Sequence, residues 1–92
     1  GEEGKQDNNL QFVRDMLSKR SPDVTKVLLT YKTIRSGKKV AADERSITQA
    51  HLKLSGLVRS EQGILHVRNE IYNTVFNLRW VQENTPKNLV FR

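Results

Sequence analysis

The chain has 92 residues and a mass of 10.6 kDa, enough for one small domain with one modest core. Its 16 Lys and Arg against 10 Asp and Glu give a formal charge of +6, and at 36% hydrophobic it sits at the polar end of the globular range. The absence of Cys excludes disulfides and thiolate metal sites, and apolar runs as short as Val27-Leu28-Leu29 exclude a membrane span or signal-peptide core. The expectation is a soluble, basic, cytoplasmic module.

Residues 1–9 carry no apolar side chain and read as unable to bury surface. Residues 1–8 are therefore expected to be a flexible linker or appended remnant, residues 9–86 the domain, and residues 87–92 a flexible tail. With no initiator Met, the chain reads as a domain of a larger protein. The first periodic segment spans 9–19, with Leu10, Val13, Met16 and Leu17 at helical spacing and Asp7, Asn8 or Asn9 as cap. Ser21-Pro22-Asp23 opens a second helix, with Ser21 as capping hydroxyl and Pro22 at the first helical position. This helix carries Val24, Val27, Leu28 and Tyr31 on one face, with Ile34 close by, and closes at Gly37.

Residues 39–42 suit a short strand. Ser46-Ile47-Thr48-Gln49 fits a capping box, so a third helix begins there, with Ile47, Ala50 and Leu54 as its inner face and Gly56 as its end. A hairpin follows: a strand over 57–60, a three-residue turn Glu61-Gln62-Gly63, and a return strand over 64–68. In that return strand Leu65 and Val67 face one way, and Ile64, His66 and Arg68 the other. Asn69 caps a last helix over 70–83, stopped by the approach to Pro86.

The expected fold is mainly α with a small β-hairpin wing, the winged-helix variant of helix-turn-helix. The stretch Leu52-Lys53-Leu54-Ser55-Gly56-Leu57-Val58, then Gly63 to Tyr72, then Val75-Phe76-Asn77 and Trp80-Val81, resembles the C-terminal winged-helix region of bacterial AAA-like proteins. These are multidomain signal-transduction NTPases of the STAND type, abundant in cyanobacteria. The resemblance extends back through residues 9–15 and 31–43. It implies a non-catalytic module between an ATPase core and a C-terminal sensor or effector region. Its partners would be other domains of the same chain, or further copies of the full-length protein, and ATP or ADP would bind the core rather than this domain. In related proteins a Met-His-Asp signature, at the junction of wing strand and helix, places its His on the ADP phosphate. Val67-Arg68-Asn69 occupies a similar junction, so the resemblance assigns Arg68 to a nucleotide phosphate on the core.

Catalysis within the chain is not expected. Ser36-Gly37-Lys38-Lys39 lacks the earlier Gly and the final Ser or Thr of a phosphate-binding loop. His51 and His66 have no ligands at metal spacing, and Ser55, His66 and Asp43 lack a nucleophile elbow. Two readings of the surface stay open. In one, Tyr72, Phe76 and Trp80 on the last helix pack against another domain, because its apolar arc is wider than a small core needs. In the other, DNA is bound through Lys38, Lys39, Thr48, Gln49, His51, Lys53 and Arg59, with the third helix offering its polar side chains to base edges.

Overall fold

The computed structural model describes residues 2–87, with side chains from Asn9 onward. In chain order the elements are α1 (Glu2–Leu17), α2 (Val24–Arg35), α3 (Ile47–Ser55), β1 (Val58–Glu61), β2 (Ile64–Val67), α4 (Glu70–Val75) and α5 (Leu78–Asn84). The described part is mostly helical with one two-stranded antiparallel hairpin.

Helix α1 starts at Glu2, seven residues before the expected boundary, so positions 7, 8 and 9 lie inside it and not at its start. Val13, Met16 and Leu17 form its buried stripe. The cap of α2 is Asp23, whose carboxylate accepts the Lys26 N–H at 3.1 Å, and not Ser21. The Ser21 hydroxyl accepts the Asp23 N–H at 3.3 Å, so Pro22 lies in the approach and the helix begins two residues later than its Pro suggested. As expected, Val27, Leu28, Tyr31 and Ile34 are buried, and Gly37 follows the helix at φ 94°, a conformation that suits Gly.

Residues 39–42 do not form a regular strand. They make one bridge, Ala41 to Ile64, flanked by Leu65 N–H to Val40 C=O at 3.0 Å and Ala42 N–H to Gly63 C=O at 2.8 Å. The hairpin turn is two residues, not three: Glu61 pairs with Ile64, and Gln62 and Gly63 both take positive φ, the type I′ pattern. That register sets Arg59 directly opposite His66 and Val58 opposite Val67.

The expected last helix is broken in two. Asn69 does cap α4, accepting the Tyr72 N–H at 2.9 Å. Phe76 then leaves helical geometry at φ −98° and ψ 63°, and Asn77 caps α5 by accepting the Trp80 N–H at 2.8 Å. Two side chains of α2 hold the break. The Tyr31 hydroxyl donates to the Phe76 carbonyl at 2.5 Å, and Arg35 Nε donates to the Asn73 carbonyl at 3.0 Å. These satisfy carbonyls that a continuous helix would have bonded itself. The core gathers around Tyr31 and Phe76, both fully buried, with Leu17, Leu28, Leu52, Leu57 and Leu65. Burial pushes the Tyr31 hydroxyl well above its ordinary pKa, against a smaller opposing pull from Arg35, so it stays a protonated donor.

Helix α3 is turned the other way from expectation. Its cap is as read: Ser46 accepts the Gln49 N–H at 3.1 Å, and Gly56 closes it at φ 87°. Yet Gln49, Leu52 and Ser55 face the core, while Ile47 and Leu54 are each 75% exposed and Ala50 is exposed beside them. The physical reason is polar satisfaction. Gln49 Oε1 accepts the Asp43 N–H at 2.7 Å and its Nε2 donates to the Ala41 carbonyl at 3.1 Å, so it staples the 41–43 segment instead of completing the capping box. Ser55 Oγ donates to the Leu52 carbonyl and accepts the Leu57 N–H. Two polar residues that serve the loops on either side of the helix have taken the inner face.

Candidate functional site

The β hairpin alternates, so Arg59, His66 and the following Arg68 share the face opposite Val58 and Leu65. This face meets the end of α2, and together they enclose an open hollow of about 440 Å³. Its lining includes Arg35, Arg59, His66 and Arg68, with Glu70 as its single carboxylate. The arginines are held in place. Arg35 Nε is bonded to Asn73, as above, and Arg68 Nε donates to the Gly56 carbonyl at 2.8 Å, at the C-terminal end of α3, where a cation suits the helix dipole. Among the described residues neither has an intrachain partner for its Nη groups, which leaves outward donors suited to an oxyanion. Arg59 Nη1 instead donates to Glu61 Oε1 at 2.7 Å, and this bond holds the exposed Glu61 carboxyl below its ordinary pKa.

The residues of the DNA reading are not brought onto one outward face. Gln49 is buried and fully engaged, and His51, half-buried, donates from Nε2 to the Met16 carbonyl at 2.6 Å. Thr48 and Lys53 are half-buried, Arg59 is paired with Glu61, and only Lys38 and Lys39 of that set are exposed. The outer face of α3 is instead the apolar stripe Ile47, Ala50 and Leu54. Of the expected packing residues, Phe76 is fully buried in the core, so it is not an external anchor. Its ring stacks edge-on with Trp80 at 4.9 Å and lies 6.2 Å from Tyr72, both half-buried against the same core. Ile71 and Leu78 are the more exposed apolar residues of these helices.

Sequence reasoning counted Arg35, Arg59 and Arg68 among the basic residues of the surface but did not join them with His66 into one hollow. The alternation of the return strand was the available signal for His66 and Arg68; the register that adds Arg59 depends on the length of the turn. Among the described residues no group of three His, Asp or Glu side chains is placed to hold a metal ion, and no helix is long and apolar enough to cross a membrane. Neither a family model, nor a curated protein, nor a solved structure matches the chain.

Proposed function

We propose that the chain is a non-catalytic winged-helix-like interaction module of an AAA-like signal-transduction NTPase, which packs against the ATPase core and couples its nucleotide state to a C-terminal sensor or effector region. The observation that carries the docking half of this reading is the outer face of α3. A helix that reads a major groove needs polar side chains there. Ile47 and Leu54, each 75% exposed, offer apolar surface, which is stabilised by covering it with protein. The nucleotide half is supported by the hollow beside Arg68. The Nη donors of Arg35 and Arg68 suit a phosphate of ATP or ADP held on the core, and each such charge-assisted hydrogen bond contributes about 1.5–3 kcal/mol.

The second reading, a DNA-binding module, keeps the +6 charge and the exposed Lys38 and Lys39 in its favour. Titration of the chain with duplex DNA at low and at physiological salt separates the two. Docking through α3 predicts weak binding that falls steeply with salt, as for any basic surface. Salt-resistant, sequence-selective binding overturns it. The nucleotide half is tested by ADP release from the full-length product of the same reading frame: Arg68→Ala should speed it about 10- to 150-fold, the equivalent of one lost charge-assisted bond. Equal release rates reduce Arg68 to its hydrogen bond with Gly56.

A further inference from the structure

A second surface lies away from both α3 and the cationic hollow. Helices α2 and α5 diverge to leave a groove of about 460 Å³, which shares no lining residue with the hollow. Its floor is apolar: Leu29 is 49% exposed and Leu78 41% exposed, and Val81 closes the bottom. Lys32 and Lys87 line it, and no carboxylate does. Among the described residues neither lysine pairs with an acid, while the nearby Glu83 is held by Arg79 at 3.4 Å.

We infer that this groove docks an acidic amphipathic helix of a partner protein. Its charge decides the sign of the occupant, because two unpaired cations beside an apolar floor favour carboxylates at the edge of the bound segment and disfavour a basic one. Its architecture decides the shape. One wall is α2 and the other is α5 with the segment 85–87 that follows it. No strand lines the groove, so there is no free strand edge to extend and recognition is of the helix-in-groove kind, with a few apolar anchors one turn apart. The volume lies within the range of roughly 300–1,000 Å³ of binding clefts, room for those anchors and not for a whole helix. This inference goes beyond the NTPase reading and does not depend on it.

The test is selection of a random peptide library on the 92-residue chain at low salt, followed by binding of the winners to Leu78→Asp and to the double variant Lys32→Glu, Lys87→Glu. Winners should carry apolar residues at helical spacing together with an excess of Asp and Glu. Leu78→Asp should weaken them by about tenfold or more, as for an anchor residue. The double charge reversal should weaken them too, with a difference from wild type that shrinks as salt rises. Leu29→Asp replaces Leu78→Asp if the latter loses its far-ultraviolet dichroism. No winners at all, winners without acidic excess, or binding indifferent to both variants overturns the inference. So does a dimer of the chain that Leu78→Asp dissolves, since the occupant would then be a second copy.

Discussion

Leu52 and Leu54 stand two residues apart on one short helix, and the structure gives them opposite fates: Leu52 is fully buried and Leu54 is 75% exposed. Truncating each to Ala removes the same atoms and changes helix propensity equally, so the difference in cost isolates burial. Full burial of a Leu side chain stabilises by roughly 1.5–3 kcal/mol, so the quarter of Leu54 that is covered contributes about 0.4–0.8 kcal/mol. Leu54→Ala should therefore cost under about 1 kcal/mol, and Ile47→Ala a similar amount. Leu52→Ala adds a core cavity to the lost transfer energy and should cost about 2–5 kcal/mol. Urea unfolding followed by Trp80 fluorescence and by helical dichroism measures all three. At about 4–8 °C per kcal/mol for a domain of this size, thermal unfolding should show a few degrees for Leu54→Ala and a drop of roughly 8 °C or more for Leu52→Ala. Equal costs for the two leucines, or a larger cost at Leu54, would refute the orientation of α3 and with it the exposed apolar face on which the docking proposal rests.

Three further outcomes follow from the same geometry. Tyr31→Phe leaves the Phe76 carbonyl buried without its donor and should cost about 1–3 kcal/mol in urea unfolding, despite the loss of a single oxygen. Gln49→Ala should cost a similar amount, roughly 1–3 kcal/mol, and should speed amide exchange at Asp43, whose N–H loses its acceptor, while the Ser46 cap persists. Glu61 should titrate below the ordinary glutamate range in the folded chain, and Arg59→Gln should return it to that range by nuclear magnetic resonance. Because its folded pKa is lowered, the small stabilisation from this pair is present above the unfolded pKa and fades as pH falls through the folded one.

The legible parts of the fold were those fixed by local chemistry. Ser46 and Asn69 cap as their side chains dictate, Gly37 and Gly56 follow helices at positive φ, and Tyr31 lies on the buried face of α2. What escaped was set by tertiary partners. The stripe Ile47, Ala50, Leu54 and the stripe Gln49, Leu52, Ser55 have equally helical spacing, and hydrophobicity favours the first. The second is inside because Gln49 and Ser55 find backbone partners in the adjoining loops. The break at Phe76 was hidden in the same way, since its carbonyl partner Tyr31 lies 45 residues away. Asn77 before Trp80 nevertheless repeats the local pattern of Asn69 before Tyr72, a cap with an aromatic three residues on. For the candidate site, Arg68 and its strand were readable, but the turn had to be two residues long before Arg59 could face His66.

These 92 residues contain no Cys, so within them one introduced thiol reports on the outer face of α3 alone. Leu54→Cys should be labelled by a maleimide reagent freely in the isolated 92-residue chain. In the larger NTPase proposed above, with any other Cys replaced by Ser, the same thiol should react at least about tenfold more slowly, because a well-packed interface excludes reagent and solvent from its centre. Equal labelling rates in the two proteins would contradict the account at its centre, leaving α3 with no protein partner to dock.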